Sequence, residues 1–368
     1  MLKGVDFFCG AGGMTHGLLE AGIDVVAGVD NHLPCEATYA NDANNQRPCG
    51  VAPKFLHADV ETDDIGALLR AEGIEEGDDA LVFAGCSPCQ YWSKVNTSKE
   101  KSTTSKSLLE HFRAYVDEFR PGYVIIENVS GLNTKRTESG LDEFVSFLRS
   151  VDYGLDQGTV AVYRHGVPQK RHRYILIATR LAVAGAAPAI GLPRPDYTEK
   201  GYPAEMAVRH FLGVDNGFPP LDAGDRVDEP SMHWAARLSD KNLRRIRKTT
   251  HDGGSRTSWK DDPELQIDAY RDKDDIFRDV YGRMWWDQPA STITTRFNSL
   301  SNGRFGHPDE DRAISLREGA TLQTFPLTYG FPESFPEAAR QIGNAVPPVL
   351  AERIGDRIVG HYETVRSS

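Results

Sequence analysis

The run Asp79-Ala80-Leu81-Val82-Phe83-Ala84 is short and apolar, with charge before it and Gly85 behind it, as in a strand buried within a parallel sheet. No other stretch limits the fold so much. Parallel neighbours need long crossover connections, so the chain must alternate strands with helices. Similar runs occur at residues 5–8, 24–29, 54–57 and 123–126, with helical patterns at 14–21, 108–119 and 141–150 between them. In the second of these, Leu108, Leu109, Phe112, Tyr115, Val116 and Phe119 recur at helix spacing. The expected fold is α/β, a Rossmann-like doubly wound sheet. Two later β-prone runs, 158–163 and 174–179, flank a basic, turn-rich connection and predict an antiparallel pair that finishes the sheet.

Sheets of this kind bind ligands outside the carboxyl ends of their strands, so the residues that follow each run are the candidate site. Cys9-Gly10-Ala11-Gly12-Gly13 follows the first run, and its glycines let a ligand approach the backbone where a helix opens. Asp30 follows the second, about 20 residues beyond the glycine turn, where such sheets keep the acid that holds ribose hydroxyls. Asp59 follows the third run, and Glu127-Asn128-Val129 ends the run at 123–126.

After residues 79–84 comes Gly85-Cys86-Ser87-Pro88-Cys89-Gln90. Its residues fit a thiol–disulfide centre, half of a zinc site, or one nucleophilic cysteine, Cys89, aimed by the rigid Pro88. Two buried cysteines acting as small hydrophobes are the plain alternative. Cys35 and Cys49 lack the tight spacing that would complete a zinc site, so no metal is expected.

A chain of 368 residues has room for about two domains. With no run near the roughly 20 apolar residues of a membrane span, and a start that reads as a strand, a cytoplasmic protein is expected. Five cysteines spread over this length fit a reducing compartment. A net charge of -11 argues against indiscriminate coating of nucleic acid but leaves room for a local basic cleft. Residues 93–107, SKVNTSKEKSTTSKS, have no apolar periodicity and carry four lysines against Glu100. They fit either a disordered loop or a basic lid that closes over a polyanion.

From Leu181 the composition shifts toward proline, glycine and charge, as in a smaller, loop-rich second domain. There Ser239 and Asp240 cap a predicted helix bearing Lys241, Arg244, Arg245, Arg247 and Lys248, ended by Gly253-Gly254. Five bases in one helix are a candidate phosphate-contacting stripe, against the alternative of a solvated charged face. Residues 282–287 and 291–296 read as strands and turns framing recognition loops, with Trp285 and Trp286 assigned to a core.

Taken together, the motifs resemble the DNA cytosine-5 methyltransferases. They are Asp6 to Gly13, Pro88-Cys89-Gln90, Glu127-Asn128-Val129, Gln169-Lys170-Arg171-His172-Arg173, Arg317-Glu318 with Leu322 to Pro326, and Gln341 to Pro348. Their order covers nearly the whole chain; the gap between about 179 and 288 is where that family places a variable target-recognition region. The resemblance implies S-adenosylmethionine as cofactor, held by Phe8, Gly10, Ala11, Gly12, Gly13, Asp30, Asn31, Asp59, Val60, Pro88, Asn344 and Val346. It makes Cys89 the nucleophile toward cytosine C6, Glu127 the partner of N3 and Arg173 the holder of the cytosine carbonyl, with Arg171 serving a nearby phosphate. The Glu127 carboxyl is expected to move toward its neutral form with the base bound. Residues 93–107 become the loop that closes on flipped DNA, with Ser93 and Lys94 among the DNA contacts. Two departures stand out. Asn31 occupies a position where the family often has a bulky residue stacked on adenine, and Cys86 puts a second thiol, read as structural, near Cys89.

The implied domains are a catalytic domain at 1–180, a target-recognition domain at 181–335, and a C-terminal segment, 336–368, returning to the first. The implied protein is a monomer acting on double-stranded DNA, in a restriction-modification or related bacterial or phage system; a cognate nuclease, where one exists, acts separately. The alternatives are the tRNA-modifying branch of the family, whose Cys-Phe-Thr signature is not found here, and an inactive DNA-binding homologue.

Overall fold

A computed structural model describes residues 1–87, 100–271, 273–274 and 276–368, and of 100–106 the backbone alone. The chain forms two compact units: 1–161 with 172–195 and 346–368, and 162–171 with 196–345. The first unit is thus left briefly at 162–171, and the chain re-enters it at Val346 instead of at residue 336.

The first unit is built on a seven-stranded sheet. Its strands are β1 (Lys3–Phe7), β2 (Asp24–Asp30), β3 (Lys54–His57), β4 (Leu81–Gly85), β5 (Tyr123–Val129), β6 (Gly154–Ala161) and β7 (His172–Thr179), in the order β3-β2-β1-β4-β5-β7-β6. β1 to β5 pair in parallel, while β7 runs antiparallel to both β5 and β6. The connecting helices are α1 (Gly13–Glu20), α2 (Glu36–Tyr39), α3 (Ile65–Ala71), α4 (Glu100–Phe119), α5 (Gly131–Thr134), α6 (Arg136–Ser139) and α7 (Leu141–Ser150). From β1 the chain steps outward through β2 and β3, then returns to lay β4 on the other side of β1. Doubly wound sheets hold their ligands at such a reversal, beyond the carboxyl ends of the strands, here those of β1 and β4.

β4 is buried throughout, as is most of β5. Phe7 and Phe83 meet edge to face at 5.1 Å, and Phe112 and Val116 of α4 are buried in the same core. A side chain at Gly85 would strike the Phe112 ring, so α4 and β4 can pack at this distance only because that position is bare. The strand β6 begins at Gly154, before the expected 158; a Cβ at Gly154 would sit 1.7 Å from the Pro188 carbonyl oxygen, so that position must be bare. Helix α4 begins at Glu100, so the second half of 93–107 is helical backbone, and residues 93–99 lie outside the described residues.

The second unit carries short strands β8 (Arg226–Val227) and β9 (His233–Trp234) and helices α8 (Asp240–Lys248), α9 (Leu316–Leu322) and α10 (Phe335–Asn344). The final helix, α11 (Pro348–Ser367), belongs to the first unit and packs on α1. Gly17 makes this approach possible: a Cβ there would lie 2.2 Å from Pro348 O and 2.5 Å from the Ala351 Cβ.

The stretches 282–287 and 291–296 do not form strands; they carry isolated bridges such as Arg283 to Gly306. Buried guanidiniums organise the region instead of ladders. Arg283 donates to the carbonyls of Thr249, His307 and Ile246, and Arg304 to those of Gly253, Gly254 and Arg283. Such forks satisfy carbonyls that a loop would otherwise bury unpaired. No helix among the described residues is long and apolar enough to cross a membrane.

Candidate active site

The glycine turn after β1 has the backbone its sequence requires. Gly10 and Gly12 have φ of 51° and 87°, and Phe8 also lies in the left-handed region at 61°. For phenylalanine that conformation is strained, so the surrounding structure must hold it. Part of the hold is visible: Phe8 N donates to Val29 O at 2.7 Å, and Gly10 N donates to Asp30 Oδ2 at 2.9 Å. The Asp30 Oδ1 accepts from His32 N at 2.8 Å. With both oxygens oriented and half-exposed, this carboxylate is preset to accept from a diol. Among the described residues other than its chain neighbours, no atom lies within 4 Å of where a Gly10 side chain would begin.

Asp59, after β3, accepts from Glu61 N and from Asn31 Nδ2, at 2.9 and 3.0 Å, and these bonds hold its carboxyl below the usual range. Asn31 thus braces Asp59, and Val60 beside it is buried. The structure therefore brings together Phe8, Gly10, Gly12, Asp30, Asn31 and Asp59 along one sheet edge, with Ala11 and Gly13 buried in the turn. Of the two C-terminal positions, Asn344 ends α10 in the second unit, and the buried Val346 begins the segment that re-enters the first.

Across the sheet, β5 and β7 present the acid and base of their motifs. Glu127 pairs in register with Ile175 and Val129 with Arg173, so Glu127 and Arg173 are diagonal neighbours on one face. Arg173 Nε lies 3.0 Å from Glu127 Oε1, both side chains nearly buried, yet that oxygen accepts no hydrogen bond from the described residues. The charges are paired while an acceptor position stays open. Asn128, between them in sequence, donates to Ser87 O and Ser87 Oγ at 3.3 and 3.4 Å. Cys86 N donates to Phe7 O at 3.2 Å. Together they anchor the chain up to the residue before Pro88. Pro88, Cys89, Gln90, Ser93 and Lys94 lie outside the described residues.

Two assignments change. Arg171 is not placed to serve a phosphate: its side chain is 3% exposed and donates to Ile293 O, Gln323 Oε1 and Ala345 O within the second unit. Arg245 also leaves the proposed stripe. It is buried over the rings of Trp259 and Tyr281, at 5.4 and 5.2 Å, with Nε donating to Leu265 O. On the outer side of α8, Arg244 is paired with Glu264, Lys248 with Asp262 and Arg247 with Asp311. Lys241 is exposed.

Sequence reasoning passed over Lys170. Its ammonium donates to Gln288 Oε1 at 2.6 Å and lies over the rings of Tyr202 and Trp285, and burial lowers its pKa. Arg304 packs on the same Trp285 ring at 4.0 Å, so Trp285 sits between two cations. It also passed over Asp6 and Thr15, although an acid inside an apolar strand was the available signal.

A glycine-turn cradle, oriented acids after two neighbouring strands and a Glu–Arg pair near the end of a fifth define a Rossmann-like methyltransferase. The chain belongs to the C-5 cytosine-specific DNA methylase family, which it matches over residues 2–360, and is therefore an enzyme of DNA cytosine-5 methylation. It is 37% identical over 360 residues to the Type II methylase M.HgiDII of Herpetosiphon aurantiacus, covering 96% of this chain and 94% of that one. Identity to the Type II methyltransferase M1.BsuMI of Bacillus subtilis is 27%, over 94% of this chain and 78% of the relative. The solved structure of a prophage-encoded DNA modification methyltransferase of E. coli superposes with a TM-score of 0.71, at 20% identity, over 99% of this chain and all of the other.

Proposed function

We propose that the protein methylates C5 of a cytosine flipped out of double-stranded DNA, with S-adenosylmethionine as donor, as the modification enzyme of a restriction-modification or related system. Cytosine C5 is a weak nucleophile until another group adds at C6, which makes the ring enamine-like. In this reading the Cys89 thiolate adds to C6 while N3 takes a proton from Glu127, and Arg173 holds the carbonyl at C2. When bound, the cofactor would supply an electrophilic methyl, carried on a sulfonium, for C5. The proton on C5 then leaves to water or hydroxide, N3 returns its proton to Glu127, and the thiolate is eliminated as the ring becomes aromatic again.

The observation that carries this reading is the Glu127–Arg173 pair, buried and charge-balanced yet with no hydrogen bond to Glu127 Oε1 from the described residues. A purely structural pair would be expected to close that hydrogen bond. A base offering its N3 and carbonyl side by side would engage the two groups together once Glu127 carries the proton that N3, itself an acceptor, takes up. Phe8, Gly10 to Gly13, Asp30, Asn31, Asp59 and Val60 fit the cofactor's methionine, ribose and adenine ends in that order, and the segment 93–107, with Ser93 and Lys94, would close on the DNA. The unit at 196–345 would read the target sequence and the first unit perform the chemistry, in a cytoplasmic monomer that acts apart from any cognate nuclease.

Bisulfite sequencing of DNA from a methylation-free bacterial host expressing the chain tests the proposal. Protection of one cytosine in a recurring short sequence is expected. Label transfer from tritiated cofactor to tRNA and none to DNA would contradict it.

A further inference from the structure

Asp6 sits inside β1, in register with Gly28 of β2 and Ala84 of β4, and has no exposure to solvent. Its Oδ2 accepts from the Thr15 hydroxyl at 2.7 Å, which in turn lies 3.0 Å from the Tyr39 hydroxyl. Its Oδ1 is equally buried and has no hydrogen-bond partner among the described residues. A carboxylate left in this condition is costly unless something compensates its charge. The groups acting on it do not: Asp30 at the end of β2 repels it, and the buried Cys9 thiol above it is itself pushed well up by burial, with Asp30 and Asp6 adding to the rise. Tyr39 and Thr15 are neutral. Burial raises the Asp6 pKa to about 7, against the opposing pull of the Thr15 hydrogen bond.

This acid stands in β1 two residues before the turn of Phe8 to Gly13, and its partner Thr15 lies in the first turn of α1, which follows that turn directly. On the cofactor reading above, which this inference rests on, the turn holds the methionine end of the ligand. There the sulfur is a sulfonium cation before transfer and a neutral thioether after it. We propose that Asp6 is the charge by which the site prefers the cationic methyl donor to its neutral product. The ionised carboxylate attracts the sulfonium and is indifferent to the thioether, so its ionisation favours release of the spent cofactor against fresh donor. At an effective dielectric constant of about 20, a unit charge within about 10 Å of a cation changes its binding roughly tenfold.

The sign follows from Asp6 alone. As pH rises through about 7 the carboxyl ionises; donor affinity should then rise while product affinity stays flat. Calorimetric titration of the full chain with S-adenosylmethionine and with S-adenosylhomocysteine, from about pH 5.5 to about pH 8.5, reads the ratio of the two dissociation constants. Comparison with Asp6→Asn removes the titration of the ligands' own amino groups. The wild type should gain roughly tenfold in donor preference across the range relative to Asp6→Asn. Thr15→Val, which deletes the hydroxyl that lowers the acid's pKa, should move the midpoint to higher pH, and this variant carries the test if Asp6→Asn does not fold. A ratio with the same pH dependence in wild type and Asp6→Asn, or a midpoint unmoved in Thr15→Val, would overturn the inference alone. Failure of the wild type to bind either ligand would overturn the cofactor reading and the inference with it.

Discussion

Glu127 and Arg173 show how a single residue's chemistry depends on register. β5 and β7 run antiparallel, so the side chains of Glu127 and Arg173 share a face although 46 positions separate them in the numbering. Replacing the acid by its amide should keep the shape and remove the exchangeable proton. Glu127→Gln is expected to lower kcat by about 10² to 10⁴ while the cofactor dissociation constant changes less than about twofold. Steady-state methylation beside equilibrium binding checks this, and a variant weakened equally in both would place Glu127 in the cofactor pocket instead. Arg171 was the residue the sequence could not separate from its neighbour. It stands two positions from Arg173 in one basic motif, but its fate is set by the carbonyls of Ile293 and Ala345, which no local pattern announces.

Among elements, α8 is the most informative, because its bases divide into an inner and an outer set. Ser239 caps it by accepting from Asn242 N, as the sequence suggests, and the amphipathic arrangement then turns Arg245 and Ile246 inward. Arg245→Ala should cost about 2–4 kcal/mol of stability through lost packing and orphaned carbonyls, with the salt dependence of DNA binding unchanged. Lys241→Ala should leave the melting curve in place and, if α8 meets phosphate, reduce the slope of log affinity against log salt by about 1. Denaturant unfolding and binding titrations at several salt concentrations distinguish the two; an unchanged slope in Lys241→Ala would remove α8 from the DNA contacts.

Most strands were legible because buried parallel strands announce themselves as apolar runs, and β3 falls on the expected residues, 54–57. The early start of α4 was not, since residues 100–107 are Ser, Thr, Lys and Glu, whose helicity carries no apolar stripe. The arginine-braced loops at 282–296 were not legible either, because alternating side chains look alike whether the backbone partners are strands or guanidinium forks.

At the scale of the molecule, acid stability should report the second unit's buried charges. Glu318 is fully buried: burial acts to raise its pKa, but the bidentate Arg312 overrides this and holds the carboxyl well below the usual range. Its folded pKa is depressed, so its contribution is present above an unfolded value of about 4.3 and lost as pH falls below it. Glu318→Gln should destabilise the protein by about 3–5 kcal/mol near neutral pH and by less under acid, giving a shallower acid limb in denaturant melts. Equal destabilisation at both pH values would show that packing, not charge, is what Glu318 supplies.

In the proposed mechanism, methyl transfer turns on a covalent bond between one thiol and a pyrimidine. Duplex DNA carrying 5-fluorocytosine at the target position blocks the final proton loss, so the adduct should persist. Peptide mapping of the protein–DNA conjugate is predicted to find the DNA on Cys89. A conjugate formed through another residue, or none at all with donor and cognate DNA both bound, would contradict the account.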